Sequence, residues 1–379
     1  MKVIPSYNNQ DEKREFFSLE IIDTIEELNE FMRISFLNHQ KEEGIWRGLP
    51  ESRFKLYNSL QRKNVLLRKL KSVEGVLNYI ESSSNKLAQW NKSLILKYLN
   101  KNHNINNLPR YAALSILQHH GCETPLLDWT RNPNVALYFA TLCDSYRFKR
   151  FKCKALESLN ILLSKKKSGN IGDYFSIYFL KKEHPYYKLT SKTGYNEIFG
   201  SEKEIVYVQN EVKFVIEHGG DEILQKDAEK RAKREYLKKA INNPKLILGN
   251  IEDTPIQLIE DCLDENESQL LNINYNINAQ SGLFVINADP FKPLEEAIFE
   301  RIDFLAKNRD LSVDKAKSIH KENFICYDIH KKFIPKILSA LNSEQINITE
   351  ETMFPDFKKL KDEIIFEKIT KDIKKNDEN

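Results

Sequence analysis

The stretch Leu114 to Thr130, LSILQHHGCETPLLDWT, sets two adjacent histidines, a cysteine, acids and hydroxyl groups around one glycine and one proline. Such a set could move protons. A histidine held by a carboxylate is a general base tuned near neutral pH, so His119 oriented by Asp128 is a candidate pair. Gln118, His119 and His120 fall where the helical pattern stops at Gly121, and the unpaired carbonyls of a helix end favour a protonated imidazole. A structural reading stands beside this one. Asp128 and Thr130 can cap the helix that opens near Pro133, and His119 can bond a carbonyl. A metal set of His119, Cys122 and Asp128 is not expected, because no second Cys or His pair lies at ligand spacing.

Two other positions carry chemistry. Arg47 lies between Trp46 and Gly48 in an apolar run, and a buried arginine must find a partner. At a strand end facing a cleft it suits a pyrophosphate or carboxylate. The bland alternative is a salt bridge, with Asp128 as one partner. Gly48 lets a ligand or another backbone approach closely. Gln280 opens the strand-like run QSGLFVINA, and its amide could fix a ribose or serve only as a polar strand edge.

These residues need elements to hold them. Thr24 with Glu27 makes a capping box, and Ile25, Leu28, Met32 and Phe36 recur at helical spacing. Ile45 to Gly48 reads as a buried strand, and ETPLLDW as a constrained turn. Leu56 to Leu99 is helical by pattern. A further helix begins at Pro109, and another at Asn132–Pro133. The runs Asp173 to Leu180, Val212 to Gly219, Gln280 to Ala288 and Asn323 to Ile329 have strand composition. Asp221 to Ile241 is a charged helix whose interleaved acids and bases suit solvent, with nucleic-acid contact as the alternative. The order, helices first and strands later, predicts α+β class. The expected domains are a helical lead-in over 1–43, a core over 44–365 with a polar insertion at about 183–275, and a frayed tail over 366–379.

Composition narrows the classes. The chain has 379 residues, 41% hydrophobic and 30% charged, with a net charge of +3 from 58 basic and 55 acidic side chains. That is a globular composition with no general polyanion-binding signature. No apolar run reaches membrane-spanning length, so no membrane partner is expected. The N-terminal stretch lacks a secretory pattern, and the five cysteines include no C-x-x-C. A cytoplasmic location is expected.

Taken together the motifs resemble the FRG domain. Trp46-Arg47-Gly48 matches its aromatic-Arg-Gly strand, and Ser59-Leu60-Gln61-Arg62 its S-L-x-R pattern. Gln118-His119-His120-Gly121 with Thr124-Pro125-Leu126-Leu127-Asp128-Trp129-Thr130 matches its long Q-H-x-G to L-L-D-W-T turn. Pro133 to Ala140, Ala279 to Phe284 and Phe354-Pro355-Asp356 match later pieces. Glu123, Pro125, Asn276 and Asn58 depart from the usual pattern.

The order of these pieces is similar to an ADP-ribosyltransferase layout, in which two small sheets form a cleft for NAD. That resemblance implies a helical N-terminal part packed on a mixed or antiparallel split sheet. It implies NAD as cofactor, with Arg47, Gly48, Thr124, Trp129 and Thr130 around it and Trp129 or another aromatic stacking on the nicotinamide. Arg47, His119, Asp128 and Gln280 would be catalytic. It implies a bacterial effector, a toxin or anti-phage protein, that modifies nucleic acid or protein. A non-catalytic nucleotide- or partner-sensing module is the second expectation. A metal-dependent nuclease using Asp356 is the third.

Overall fold

A computed structural model describes residues 4–41, 43–62, 71–72, 74–76, 78–79, 82, 114, 118, 123–150, 170–184, 202–219, 221–229, 232, 256–259, 277, 279–287, 289–308 and 310–354. Seven strands make one sheet: β1 (Ser18–Ile22), β2 (Gly44–Leu49), β3 (Leu126–Thr130), β4 (Tyr174–Lys181), β5 (Ile256–Ile259), β6 (Gly282–Asn287) and β7 (Phe324–His330). Their order across the sheet is β1-β7-β4-β2-β3-β6-β5. Only the edge pair β1/β7 is parallel; every other neighbour is antiparallel. The class is α+β, as expected.

Both faces are covered, which explains the composition of the middle strand. β4 reads YFSIYFLK, and its first seven residues are all buried. A strand with cover on both sides needs no polar alternation. One face carries α2 (Ile25–Gln40), α3 (Pro133–Arg150) and α8 (Ile334–Leu341); their apolar sides pack with Trp46, Phe175, Ile177, Phe179 and Tyr327. The other packs α5 (Leu294–Phe299), α6 (Ile302–Asn308) and α7 (Val313–Asn323) over Ile45, Tyr178, Leu283 and Phe324. The predicted capping box of α2 forms in full, with Thr24 and Glu27 satisfying each other's backbone N–H groups. Pro335 sits in the first turn of α8, where its missing N–H costs nothing.

The expected split into two sheets is not what forms. The strands are continuous, but one ladder is almost absent: β2 meets β3 at the single pair Trp46↔Thr130. β2 and β4 share six pairs, and β3 and β6 share five. The sheet therefore has a seam between β2 and β3.

Several local expectations need correction. ETPLLDW is not only a turn, because Leu126–Thr130 pairs along its whole length with β6. Val212 to Gly219 is not a strand but the end of α4 (Glu202–Glu217). Its β-branched content misled, since Phe214 and Ile216 are exposed while Val212 and Val215, three apart, are partly covered as on a helix face. The segment read as an insertion supplies β5, the edge strand beside β6. β1, α5, α6 and α7 are additional elements. The start of Leu56 to Leu99 is irregular before a turn of helix at Ser59, and most of that run lies outside the described residues. So do most of the helix from Pro109, of which Leu114 and Gln118 are described as helical, most of Asp221 to Ile241, and the tail.

Candidate functional site

The seam opens into a cavity of about 410 Å³. Its wall includes Trp46, Arg47 and Gly48 from β2, Asp128, Trp129 and Thr130 from β3, and Val135, Ala136, Phe139 and Leu142 from α3. Gln118, Gln280 and Phe354 complete it. That size is within the range of small-molecule sites, as is a largely apolar wall with a few polar groups. Arg47, Asp128 and Gln280, drawn from three distant parts of the chain, thus face one concavity. His119 lies outside the described residues, as does Asp356.

Each polar group has a distinct setting. Arg47 is partly exposed, and its Nη1 donates to the backbone carbonyl of Asp128 rather than to the Asp128 carboxylate. Close enclosure pushes its pKa down to about 10, opposed by Asp128 and reinforced by Arg62. It stays charged at neutral pH. Burial also lowers the Arg62 pKa, again opposed by Asp128, and Arg62 Nη1 donates to the Tyr57 carbonyl at 2.9 Å. Among the described residues, two guanidinium groups therefore share the Asp128 carboxylate.

Asp128 is the exposed residue of a buried strand. Its Oδ2 accepts from Gln118 Nε2 at 2.8 Å. The Gln118 amide cannot turn round, because its Oε1 accepts from the hydroxyls of Thr124 and of Ser59, the latter at 3.3 Å. Thr124, fully buried, is thus an anchor beneath the carboxylate and does not line the cavity. Thr130 Oγ1 donates to the Gln280 carbonyl at 2.6 Å and accepts from the Asn132 N–H at 3.0 Å. It ties the end of β3 to the turn before β6 and to the start of α3.

Gln280 is 7% exposed, and its Nε2 donates to the Met353 carbonyl at 3.0 Å. This contact holds α9 (Glu350–Met353) and so Phe354 at the cavity. The left-handed residue of its turn is Ser281, with φ +46°, not Gly282. Gly48 answers to packing: a Cβ there would lie 1.9 Å from the Ala136 carbonyl oxygen. Trp129 is 2% exposed and sits in the core beside Phe324, so its ring offers no open face for stacking. The aromatic groups on the wall besides it are Trp46, Phe139 and Phe354.

Sequence reasoning did not assign Arg62, Gln118 or Phe139 to the site. The S-L-x-R pattern and the glutamine before His119 were the available signals for the first two. Phe139 was read only as part of an apolar helix face.

The FRG-domain family model matches residues 42–147, so the chain carries an FRG domain there. The match includes Arg47, Arg62, Gln118 and Asp128 but not Gln280 or Phe354. No curated protein and no solved structure matches the chain.

Proposed function

We propose that this FRG-domain protein binds a nucleotide in the seam cavity and acts as an ADP-ribosyltransferase-like effector on nucleic acid or protein, with NAD as donor. The observation that carries this reading is the convergence of Arg47, Asp128 and Gln280 on one cavity beside a second arginine. Arg47 would meet the pyrophosphate and the apolar wall a ring. The bond between nicotinamide and ribose C1 breaks with its electron pair leaving on nicotinamide. The acceptor's nucleophile then bonds C1 and passes its proton to solvent water. A carboxylate beside C1 lowers the cost of the positive charge that develops. Asp128, fixed by Gln118, suits that role better than the Gln280 amide, which carries no charge and is already bonded to Met353.

A sensing module is the second reading. It is favoured by how much of the site's hydrogen bonding is spent on the fold, through Arg47 to Asp128 and Gln280 to Met353. Incubation with labelled NAD and cell extract separates the two. Transfer or nicotinamide release is expected, slowed about 10²-fold in Asp128→Asn with NAD binding retained, and lost in Arg47→Ala. Binding without turnover would leave the sensing module. No NAD or ADP binding would end both readings.

A further inference from the structure

Two buried N–H donors at this site have no acceptor among the described residues: Arg47 Nε and Trp129 Nε1. Both residues line the cavity. Both also flank the single Trp46↔Thr130 pair that joins β2 to β3. Side chains alternate along a strand, so Arg47 and Trp129 leave the sheet on the same face, opposite to Trp46 and Thr130, across the seam from one another.

A buried donor left unmade destabilises the fold, the more so when it is charged. Native proteins hold few of them. Two on facing strands of one cavity call for an acceptor from outside the chain. Arg47 carries a positive charge and Arg62 adds a second nearby, so an anionic oxygen answers best. The indole offers a donor only. Across the seam, on the face that α3 covers, the same cavity has an apolar wall of Val135, Phe139 and Leu142, which suits a ring at the ligand's other end.

We infer that Trp129 binds ligand through its indole N–H, and that with Arg47 Nε it grips one anionic oxygen of a phosphorylated, ring-bearing compound at the β2/β3 seam. This rests on the nucleotide reading above and assigns Trp129 an edge-on role in place of stacking. Burial of the ring to 2% exposure is then part of the design: the surrounding core fixes the direction of the N–H.

The chain has three tryptophans, so ¹⁵N-labelled protein gives three indole N–H resonances, assignable by triple-resonance spectra. Added ADP should shift the Trp129 indole proton downfield, and adenosine should leave it in place. Trp129→Phe, its fold checked by circular dichroism, should weaken ADP binding about tenfold or more, the loss of one hydrogen bond to a charged group. It should weaken adenosine binding less than ADP binding. If the variant fails to fold, the indole resonance of the unaltered protein decides alone. ADP binding that leaves the Trp129 N–H unmoved, or that survives Trp129→Phe undiminished, overturns the inference while the cavity reading stands. No binding of ADP by the unaltered protein overturns both.

Discussion

Lys13 lies in QDEKR, a run that looks like a solvated helix turn, yet its side chain is fully buried. Its Nζ pairs with Asp328 at 2.5 Å and donates to Ser176 at 2.9 Å and Ser52 at 3.1 Å. The two serines in turn donate to the Asp328 oxygens. This cluster fastens α1 (Gln10–Arg14) to β7, and nothing local announced it, because its partners lie 315 positions apart. Arg47 was legible for the opposite reason: an arginine inside an apolar run signals itself. Its partner was only half legible, since the carbonyl of Asp128 is used in place of the carboxylate. Lys13→Met keeps the volume and strands the Asp328 charge. It should cost about 3–5 kcal/mol in urea unfolding, and Lys13→Met with Asp328→Asn should recover most of that. A single-variant loss near zero would mean the pair contributes no net stability.

Among elements, β2 and α3 illustrate what a pattern reveals and what it hides. The strand at Ile45 and the helix opening at Pro133 were readable from apolar spacing and a proline at a first turn. That they touch was not, although Gly48 hinted at close approach. The helix backbone fills the place of a Cβ, with the Ala136 carbonyl oxygen at 1.9 Å and the Ala140 nitrogen at 2.9 Å. Neither atom is the end of a flexible chain, so a methyl group must push the helix away. Gly48→Ala should cost about 1–3 kcal/mol, the usual price of overpacking, and should also weaken ADP binding, because α3 forms a cavity wall. A melting temperature within a degree of the unaltered protein would show that the contact yields freely. The errors at β3 and α4 share a cause. Short β-rich runs are assigned by their neighbours, and LLDWT becomes a strand only because β6 lies beside it.

At the scale of the whole molecule, two buried titratable groups that do not line the cavity set opposing trends with pH. Glu295 is fully buried, accepts from the Tyr7 hydroxyl at 2.6 Å and from the Leu56 N–H, and is raised by burial to about 7 from 4.5. The neighbouring Lys55 does not neutralise it, since Lys55 pairs with Glu296 at 2.5 Å. His320 bonds His184 at 2.9 Å and the Phe16 carbonyl at 2.8 Å, and burial lowers it to about 4 from 6.5. Between pH 4.5 and 7 the unfolded chain loses the Glu295 proton while the folded one keeps it, so stability falls as pH rises. Between pH 4 and 6.5 the unfolded chain holds the His320 proton that the folded one lacks, so stability rises with pH. The windows overlap and the slopes offset, which flattens the profile over mildly acidic pH. Glu295→Gln removes one slope alone. The amide resembles the protonated acid, so at pH 4.5 the variant should match the unaltered protein. By pH 7.5 it should be more stable by about 3 kcal/mol, read from urea midpoints at one-unit intervals. Every other titrating group is common to the two proteins and cancels in the difference. Parallel curves for the two would show that Glu295 ionises in the folded chain at its ordinary pH, and that Tyr7 and the Leu56 N–H hold a carboxylate.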